Sequence, residues 1–361
     1  MKNKIFLKMN YITFVVLMVL LCSLQIVSAG SAGAWTMKAS MSSPRSWFQT
    51  EVIDGKIYVI GGQNSTGYLS SVEVYDPVSN IWTTKAPMST PRAVFQMDAV
   101  NGKLYAIGGM GYSGILSSVE EYDPVTDTWT EKESMSSPRI YFQTKVVNGK
   151  IYAIGGVNRN FLSSVEEYDP VSDTWTTKDS MSVTRASSQA EAVNGKIYIL
   201  GGNGSSGDLS SVEEYDPICD AWTVKAAMSD KRHDIKTQVT NGKIYAIGGY
   251  NYDNYLSSVE EYDPVTDTWT SKAPMTALRA YFQTEVLDGK IYTIGGYTGD
   301  YLNTTEEYDP ISDTWISKAA MSDARYGFKT EVVNGKIYAI GGQNSTNNLS
   351  SIEEYDSSAI R

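Results

Sequence analysis

The sequence predicts an all-β fold, a β-propeller of seven four-stranded blades. The first observation is a repeat of 46 or 47 residues, marked by Gly-Gly pairs that begin at Gly61, Gly108, Gly155, Gly201, Gly248, Gly295 and Gly341. A tryptophan follows the same period, at Trp35, Trp82, Trp129, Trp175, Trp222, Trp269 and Trp315. The third observation is composition, with 25 tyrosines and 30 glycines. A period of this length holds about four short strands, which make one propeller blade.

The elements of the repeat can be assigned in order. Each repeat begins after an arginine, at Arg45, Arg92, Arg139, Arg185, Arg232, Arg279 and Arg325. In the third repeat the first strand, residues 141–147, runs into Asn148-Gly149, a pair suited to the type I′ turn of a two-residue hairpin. The second strand is apolar and ends at Gly-Gly. A variable loop, a third strand, an Asp-Pro turn and the tryptophan strand complete the unit. The proline lies in a turn, where its missing N–H costs nothing.

These motifs resemble a known family. Gly-Gly, then Tyr-Asp-Pro about fourteen residues later, then Trp about six residues after that, is similar to the kelch repeat. The resemblance extends from Trp35 to Asp356. It implies a closed kelch-type β-propeller, in agreement with the strand assignment.

The two ends of the repeat array complement each other. The last repeat stops at residues 352–356 and has no tryptophan strand, whereas a spare one, residues 34–38, precedes the first repeat. We therefore expect the N-terminal strand to complete the last blade and close the ring. Closure removes the exposed strand edges that an open array would leave.

The first 29 residues have the composition of a signal peptide. Lys2, Lys4 and Lys8 precede an apolar run over residues 11–27, and Val27-Ser28-Ala29 is a small-residue cleavage pattern. We predict a signal peptide over 1–29, a propeller over 30–361 and a secreted, extracytoplasmic protein. An uncleaved membrane anchor is the alternative, because about 17 apolar residues approach the length of a membrane span. Lipid modification of Cys22 is a third hypothesis for this segment.

Charge restricts the partners. Removal of residues 1–29 takes away three lysines and no acidic residue, so the formal charge changes from −11 to −14. A surface this acidic repels phosphate backbones, so we expect no nucleic-acid partner, and membrane contact only if the N-terminal segment stays uncleaved. We expect a monomer. Cys219 would be the only cysteine left, which excludes an internal disulfide.

The meander assigns the two faces of the disc. The loops after Gly-Gly and the loops that lead into the next repeat share one side, here called the loop face. The Asn-Gly and Asp-Pro turns share the other, the turn face. Function is expected on the loop face, because loops there vary on a constant scaffold. The kelch resemblance implies arginines in a ligand pocket at this face; the alternative is that each repeat arginine bonds carbonyl groups between blades.

Repeats five and six depart most from the common unit, and several of the residues that differ are tyrosines. Tyrosine offers contact area at low entropy cost and a hydroxyl group, which suits binding of sugar rings and extended peptides. The alternatives are that these loops vary without any functional constraint, and that the His–Asp pair is an ordinary pair on the surface. The predicted ligand-binding residues are Arg232, His233, Asp234, Tyr250, Tyr252, Tyr255, Arg279, Tyr281, Tyr297 and Tyr301.

Two positions of the first strand are expected to face the central channel. The fourth residue after each arginine is Gln or Lys. The sixth residues are Glu51, Asp98, Lys145, Glu191, Gln238, Glu285 and Glu331. Five carboxylates around an axis have the oxygen ligands that Ca²⁺ prefers. We predict instead that these residues form a solvated lining of the channel. We predict no bound metal and no cofactor.

An enzymatic function meets several obstacles. The chain has one histidine, His233, so the two histidine ligands of a kelch-class copper oxidase are lacking, as are zinc-site ligands. No Gly-x-Ser-x-Gly motif precedes it, and we assign no catalytic residue. The prediction is a secreted binding scaffold that recognises a glycan or an extracellular protein. The alternative is a metal-free carbohydrate-active enzyme that resembles a sialate mutarotase or epimerase.

Overall fold

The computed structural model describes residues 33–359. The predicted signal peptide lies outside these residues. All secondary-structure elements assigned within these residues are β-strands. Residues 33–359 contain no helix with the length and hydropathy that a membrane span requires.

Seven four-stranded antiparallel sheets form the blades. The chain starts with β1 (Ala34–Met37), which belongs to blade seven. Blade one has β2 (Gln49–Ile53), β3 (Lys56–Ile60), the short β4 (Gln63–Asn64) and β5 (Gly67–Tyr68), β6 (Val72–Asp76) and β7 (Ile81–Lys85). Blade two has β8 (Gln96–Val100), β9 (Lys103–Ile107), the short β10 (Met110–Gly111) and β11 (Gly114–Ile115), β12 (Val119–Asp123) and β13 (Thr128–Lys132).

The remaining blades repeat the plan. Blade three has β14 (Gln143–Val147), β15 (Lys150–Ile154), β16 (Val165–Asp169) and β17 (Thr174–Lys178). Blade four has β18 (Gln189–Val193), β19 (Lys196–Leu200), the short β20 (Asn203–Gly204) and β21 (Gly207–Asp208), β22 (Val212–Asp216) and β23 (Ala221–Lys225). Blade five has β24 (Lys236–Thr240), β25 (Lys243–Ile247), β26 (Val259–Asp263) and β27 (Thr268–Lys272). Blade six has β28 (Gln283–Leu287), β29 (Lys290–Ile294), β30 (Thr305–Asp309) and β31 (Thr314–Lys318), and blade seven has β32 (Lys329–Val333), β33 (Lys336–Ile340), β34 (Ile352–Asp356) and β1.

The ring is closed as the sequence predicts. β1 pairs antiparallel with β34, with Ala34 opposite Asp356 and Met37 opposite Glu353. On the inner side, β2 of blade one lies against β32 of blade seven. The indole Nε1 of Trp35 also donates to the carbonyl oxygen of Ala319, at 3.0 Å. Blade seven is therefore completed by the N-terminal strand.

The hydrophobic core lies between neighbouring blades. Between blades two and three, Ile107 and Val119 pack with Phe142 and Ile151, all of them buried. The second strand of each blade is buried on both sides, which is why it is a continuous apolar run. Gly155 follows this strand because a Cβ there would lie 2.5 Å from the carbonyl oxygen of Arg185 in the next blade. The Gly-Gly pair thus allows close packing of blades.

The repeat arginines are structural. Arg139 is fully buried, and its Nη1 donates to the carbonyl oxygens of Gly155 at 2.9 Å and Ser164 at 3.1 Å, both in its own blade. Its Nη2 pairs with Glu166 at 2.6 Å. Between blades, the backbone carbonyl of Arg185 accepts from the N–H of Gly156. The same ion pair, at 2.5–2.8 Å, recurs in Arg45–Glu73, Arg92–Glu120, Arg185–Glu213, Arg232–Glu260, Arg279–Glu306 and Arg325–Glu353.

Candidate functional site

A pocket of about 160 Å³ lies on the propeller axis, where all seven blades meet at the loop face. We call it the axial pocket. Each blade contributes the second, third and fourth residues after its arginine. The third residues are mostly Phe, and the second residues differ from blade to blade: Trp47, Val94, Tyr141, Ser187, Asp234, Tyr281 and Gly327. The pocket therefore combines a constant backbone with variable side chains.

The second residues share an unusual backbone conformation. All seven have positive φ angles, between 48° and 63°, a region that a β-branched or bulky side chain rarely adopts. Backbone hydrogen bonds between neighbouring blades hold them there, as from Trp47 N–H to the Gly327 carbonyl at 3.0 Å and from Val94 N–H to the Trp47 carbonyl at 3.1 Å. The scaffold thus maintains strained residues at the pocket, as functional sites often do.

Aromatic rings form a continuous cluster from the pocket outward over blades five to seven. The rings of Trp47 and Tyr281 each lie 5.1 Å from that of Tyr326. Contacts of 4.8–6.1 Å between ring centres continue the cluster through Tyr301, Tyr297, Tyr255, Tyr250 and His233. Five of the predicted tyrosines, at positions 250, 255, 281, 297 and 301, are brought together in this way. We call these rings the aromatic cluster.

Trp47, Tyr141 and Tyr326 are neighbours of the site that were not among the predicted residues. Trp47 and Tyr141 line the axial pocket, and Tyr326 joins the rings of Trp47 and Tyr281. Trp47 had a signal in the sequence, because it is the one tryptophan outside the repeat period. Tyr141 is the second residue after Arg139, a position that is aromatic in three repeats, whereas Tyr326 directly follows Arg325, at a position that has no other tyrosine.

Tyr252 lies apart from the aromatic cluster. Its side chain is 73% exposed, and its backbone N–H donates to Asp208 Oδ2 of blade four at 2.9 Å. Blades one and two carry a separate pair, in which the rings of Tyr68 and Tyr112 lie 5.2 Å apart. These residues lie on the loop face outside the axial pocket and serve as comparisons for it.

Arg232 and Arg279 do not reach the surface. Both are fully buried, and their guanidinium groups are occupied by Glu260 and Glu306 and by backbone carbonyls of their own blades. A ligand on the loop face cannot contact these side chains without displacing the core. The arginines therefore leave the predicted ligand-contacting set. They have a role in the scaffold, but their side chains bond carbonyl groups within one blade and not between blades, as the alternative expected.

His233 lies between two aspartates beside the pocket. Its Nδ1 is 2.9 Å from Asp208 Oδ1, and its Nε2 is 3.5 Å from Asp234 Oδ2. Asp234 lines the pocket. Burial raises the pKa of the Asp234 carboxyl, while the charge of His233 and hydrogen bonds from Tyr281 and Ser187 act in the opposite direction. The cluster places a hydrogen-bond acceptor at the rim of the pocket.

The fourth residues form the floor of the axial pocket. They are Gln49, Gln96, Gln143, Gln189, Lys236, Gln283 and Lys329. Gln96 Nε2 donates to the Phe142 carbonyl at 2.7 Å, and Gln283 Nε2 donates to the Phe328 carbonyl at 2.8 Å. These glutamines link neighbouring blades around the axis. Blades five and seven have lysine instead.

The sixth residues lie deeper in the channel, and several are engaged by protein partners. Glu191 accepts from Thr237 at 2.5 Å and pairs with Lys145 at 3.2 Å, and Glu285 accepts from Thr330 at 2.6 Å. Glu51 faces blade two, which has Met97 at a position where five blades have threonine and blade four has Ala190. Burial, then the charges of Glu331 and Asp98, raise the pKa of Glu51 to about 7.

Two further features bear on chemistry. No group of three or more His, Cys, Asp or Glu side chains between residues 33 and 359 is arranged to hold a metal ion. Cys219 is exposed in the Asp-Pro turn of blade four, on the turn face. Neither feature adds a reactive group to the axial pocket.

Comparison with family models gives matches along almost the whole chain. A model described as the KLHDC2/KLHL20/DRC7 Kelch-repeats domain matches residues 24–202. The Kelch motif matches residues 184–229, 231–276, 278–322 and 324–359.

Curated relatives match single repeats. The spermatocyte protein spe-26 of Caenorhabditis elegans is 49% identical over 47 residues, which are 13% of this chain and 8% of that protein. An F-box/kelch-repeat protein of Arabidopsis thaliana is 48% identical over 48 residues, 13% of this chain and 12% of that protein. The matched stretches thus span about a tenth or less of these relatives.

Two solved structures share the architecture. The structure of YjhT superposes with a TM-score of 0.63 at 17% identity, covering 78% of this chain and 99% of that chain. A fungal alcohol oxidase of the AA5 family, in complex with copper, superposes with a TM-score of 0.74 at 16% identity, covering 90% of this chain and 76% of that chain. At such identities the likeness concerns the fold alone.

Proposed function

This chain belongs to the kelch-repeat β-propeller family, and we propose that it is a binding scaffold that acts outside the cytoplasm. We propose that it recognises a glycan or an extracellular protein through the loop face, with the axial pocket as the centre of the site. The kelch propeller scaffold is itself consistent with an interaction role. The ligand class and the location are the parts that experiments must test.

One observation carries this proposal. At the axial pocket, seven backbone segments of the same conformation present six different residue types, with tyrosine in two blades. A repeat unit maintains in every copy what the scaffold needs, so variation on a rigid frame is where specificity can reside. The aromatic cluster extends from this pocket over blades five to seven, which provides a surface for a larger ligand.

The chemistry of the site suits sugars and peptides. Tyr141 and Tyr281 line the pocket, and Tyr141 is 45% exposed. Tyrosine rings pack against the C–H faces of sugars or against side chains, and their hydroxyl groups add directional bonds. Asp234 at the rim accepts hydrogen bonds from hydroxyl or N–H groups. Such a mixture of rings and a few polar groups is typical of ligand pockets.

The extracytoplasmic location is proposed from the sequence. Three lysines, an apolar run and Val27-Ser28-Ala29 have the order of a secretory signal. Expression in a secreting host, followed by mass spectrometry of the exported protein, tests this part. A mature chain that begins at Gly30 supports it, and an intact N-terminus on a membrane-bound protein contradicts it.

Binding is tested with the labelled protein on a glycan array, with two matched variants. Tyr141→Gly removes a pocket ring and leaves the residue that blade seven carries at the same position, Gly327, so the positive φ angle is relieved. Tyr112→Ala removes a tyrosine ring on the loop face outside the pocket, where this residue is 69% exposed. We expect Tyr141→Gly to weaken binding at least about tenfold, because truncated aromatic anchors cost more than about 1 kcal/mol.

The control decides where the ligand sits. Tyr112→Ala is expected to bind like the unchanged protein, and both variants should melt at unchanged temperatures. Equal loss in the two variants, or loss in Tyr112→Ala alone, would contradict the axial site. An array without any bound glycan would contradict a glycan ligand and leave the protein ligand, which cross-linking from the loop face would then identify.

A further inference from the structure

Two lysines of the axial pocket form no ion pair within 4.0 Å and no hydrogen bond through their ammonium groups among residues 33–359. Within residues 33–359, fifteen of the lysines form an ion pair within 4.0 Å of a carboxylate, as Lys145 does with Glu191. The exceptions are Lys231, which is exposed, and Lys236 and Lys329, which line the pocket floor. No hydrogen bond joins the ammonium group of Lys236 or Lys329 to any residue in this part of the chain. Such charges are costly to enclose when they are unpaired.

The two lysines replace glutamine, so the fold does not require them. Five blades carry glutamine at the same position, and their side chains are compatible with the same backbone. Lys236 belongs to blade five and Lys329 to blade seven, with blade six between them. Both lysines are therefore additions to the common unit, on one side of the axis.

Nearby carboxylates do not neutralise them by contact. Glu285 accepts a hydrogen bond from Thr330, and Glu331 accepts one from Thr50. Burial, followed by the charge of Lys236, lowers the pKa of Lys329 to about 8. At neutral pH the Lys329 ammonium group is thus largely charged and open to the pocket. Burial also lowers the pKa of Lys236, while the charges of Glu285, Asp234 and Glu191 act in the opposite direction. An anion bound between the two lysines would favour the charged form of both.

The surroundings restrict the shape of that anion. Tyr281 of blade six and Trp47 of blade one line the pocket on the same side as the lysines. Asp234 contributes an acceptor that repels a second negative charge and favours a hydroxyl or N–H group. The cavity of about 160 Å³ admits one compact group.

We propose that the axial pocket binds a compact carboxylate, with the carboxyl group between Lys236 and Lys329 and a hydroxyl or N–H group of the same molecule at Asp234. This inference rests on the proposed function and names the ligand chemistry of the same site. The carboxylate can belong to an acidic sugar or to the end of a peptide, and the two sources share the chemistry that the lysines recognise.

Titration calorimetry with matched probes tests the inference. Glucuronate is compared with glucose, and a short acetylated peptide with a free C-terminal carboxylate is compared with its C-terminal amide. We expect at least one of the two carboxylate probes to bind and its neutral counterpart to bind at least tenfold more weakly. The probe that binds identifies the source. No binding of either carboxylate at millimolar concentration would overturn the proposal.

Three variants with the same charge change locate the site. Lys236→Gln and Lys329→Gln introduce the residue found in the other blades, so they should fold normally, which the melting temperature verifies. Each is expected to weaken carboxylate binding at least tenfold. Lys231→Gln changes an exposed lysine in the same loop and should bind as before. Carboxylate binding that survives both pocket variants would overturn the proposal.

The outcome is distinguishable from failure of the proposed function. Suppose that glycans bound on the array are lost in Tyr141→Gly but retained in both lysine variants. The loop-face site would then stand, and the carboxylate inference would be wrong. Loss of array binding in the lysine variants, with selectivity for acidic glycans over neutral ones, would support both.

Discussion

The ring of repeat arginines and the axial pocket place similar charges in opposite situations. Arg232 and Lys236 belong to the same short segment, yet Arg232 is fully buried against Glu260 at 2.8 Å, whereas Lys236 faces the pocket without an ion pair. The arginine recurs in every blade, and the lysine occurs in two. Repetition therefore marks what each blade needs to fold, and departure from the repeat marks what the assembled ring can use.

The physical basis of this difference is desolvation. A guanidinium group can be enclosed only if hydrogen bonds replace its water, and Arg139 has two carbonyls and a carboxylate for this purpose. The axial pocket provides no such set for Lys329. A charge left in this condition lowers the stability of the fold and remains available to a ligand. Three predictions follow from this contrast, in order of decreasing effect.

Closure of the scaffold should have the largest effect. Deletion of residues 34–38 removes β1 together with the partly buried Trp35 and exposes the edge of β34. Loss of a fully buried aromatic side chain typically costs about 3–5 kcal/mol. Here the lost strand pairing adds to a smaller packing loss, and an open edge invites aggregation. We expect melting at least about 10 °C lower. Met37→Ser, at a half-exposed site on the same strand, is the control. A truncated protein that melts like the intact one would show that closure adds no stability.

Single arginines should come next, with the same effect in every blade. Arg232→Met and Arg139→Met each leave a buried glutamate without its partner, so we expect each to lower the free energy of unfolding by about 3–5 kcal/mol. Urea unfolding measures this. Changing Glu260 to Leu together with Arg232→Met should recover part of the loss, because the unpaired charge is gone.

The comparison would break if Arg232 behaved unlike Arg139. A variant of Arg232 that kept full stability and lost ligand binding would return this arginine to the site. Equal losses of stability in the two blades, with binding retained by the folded fraction, would assign both to the scaffold.

The channel carboxylate Glu51 should have the smallest effect, and one that depends on pH. Its folded pKa is about 7, above the unfolded value near 4.3, so the fold favours the protonated form. Stability from this preference is present below about pH 4.3 and is lost as the pH rises through 7. Glu51→Gln should therefore raise the free energy of unfolding by about 1–3 kcal/mol at pH 8 and leave it unchanged at pH 4.

Glu191 is the matched control for Glu51. It occupies the same position in blade four but accepts from Thr237 and pairs with Lys145. Glu191→Gln should therefore lower stability at pH 8. If both substitutions stabilise the protein to the same extent, repulsion along the whole channel would outweigh the local partners, and the contrast between engaged and open charges would have to be withdrawn.

Much of the fold is readable from the sequence because each blade is built from local information. Asn148-Gly149 specifies a hairpin, Gly155-Gly156 a close approach between blades, and the spare tryptophan strand at residues 34–38 the closure. Six tyrosines of blades five and six were predicted to form one binding surface. Five of them lie together because they belong to neighbouring repeats, whereas Tyr252 lies apart.

The candidate site was only partly readable. Trp47 lies near the start of the propeller and Tyr326 near its end, yet their rings meet because the ring closes. Tyr141 reaches the same pocket from blade three. The position of a residue within one repeat does not show which residues meet at the axis. Comparison of single repeats with the common unit therefore did not identify these three residues.

The seven blades, their turns, the closure and the two faces could be predicted from the sequence alone, because these features depend on patterns within one repeat or on a missing copy. The roles of the charges could be assigned only from the assembled fold. The repeat arginines and both axial lysines are all cations near the start of the first strand of a blade. The sequence did not show which of them a ligand could reach. The arginines are buried against Glu260 and its equivalents, so a ligand cannot reach them. Lys236 and Lys329 face a shared pocket because seven strands converge on one axis. Accessibility is a property of the assembled ring, because desolvation depends on what every other blade contributes at that point.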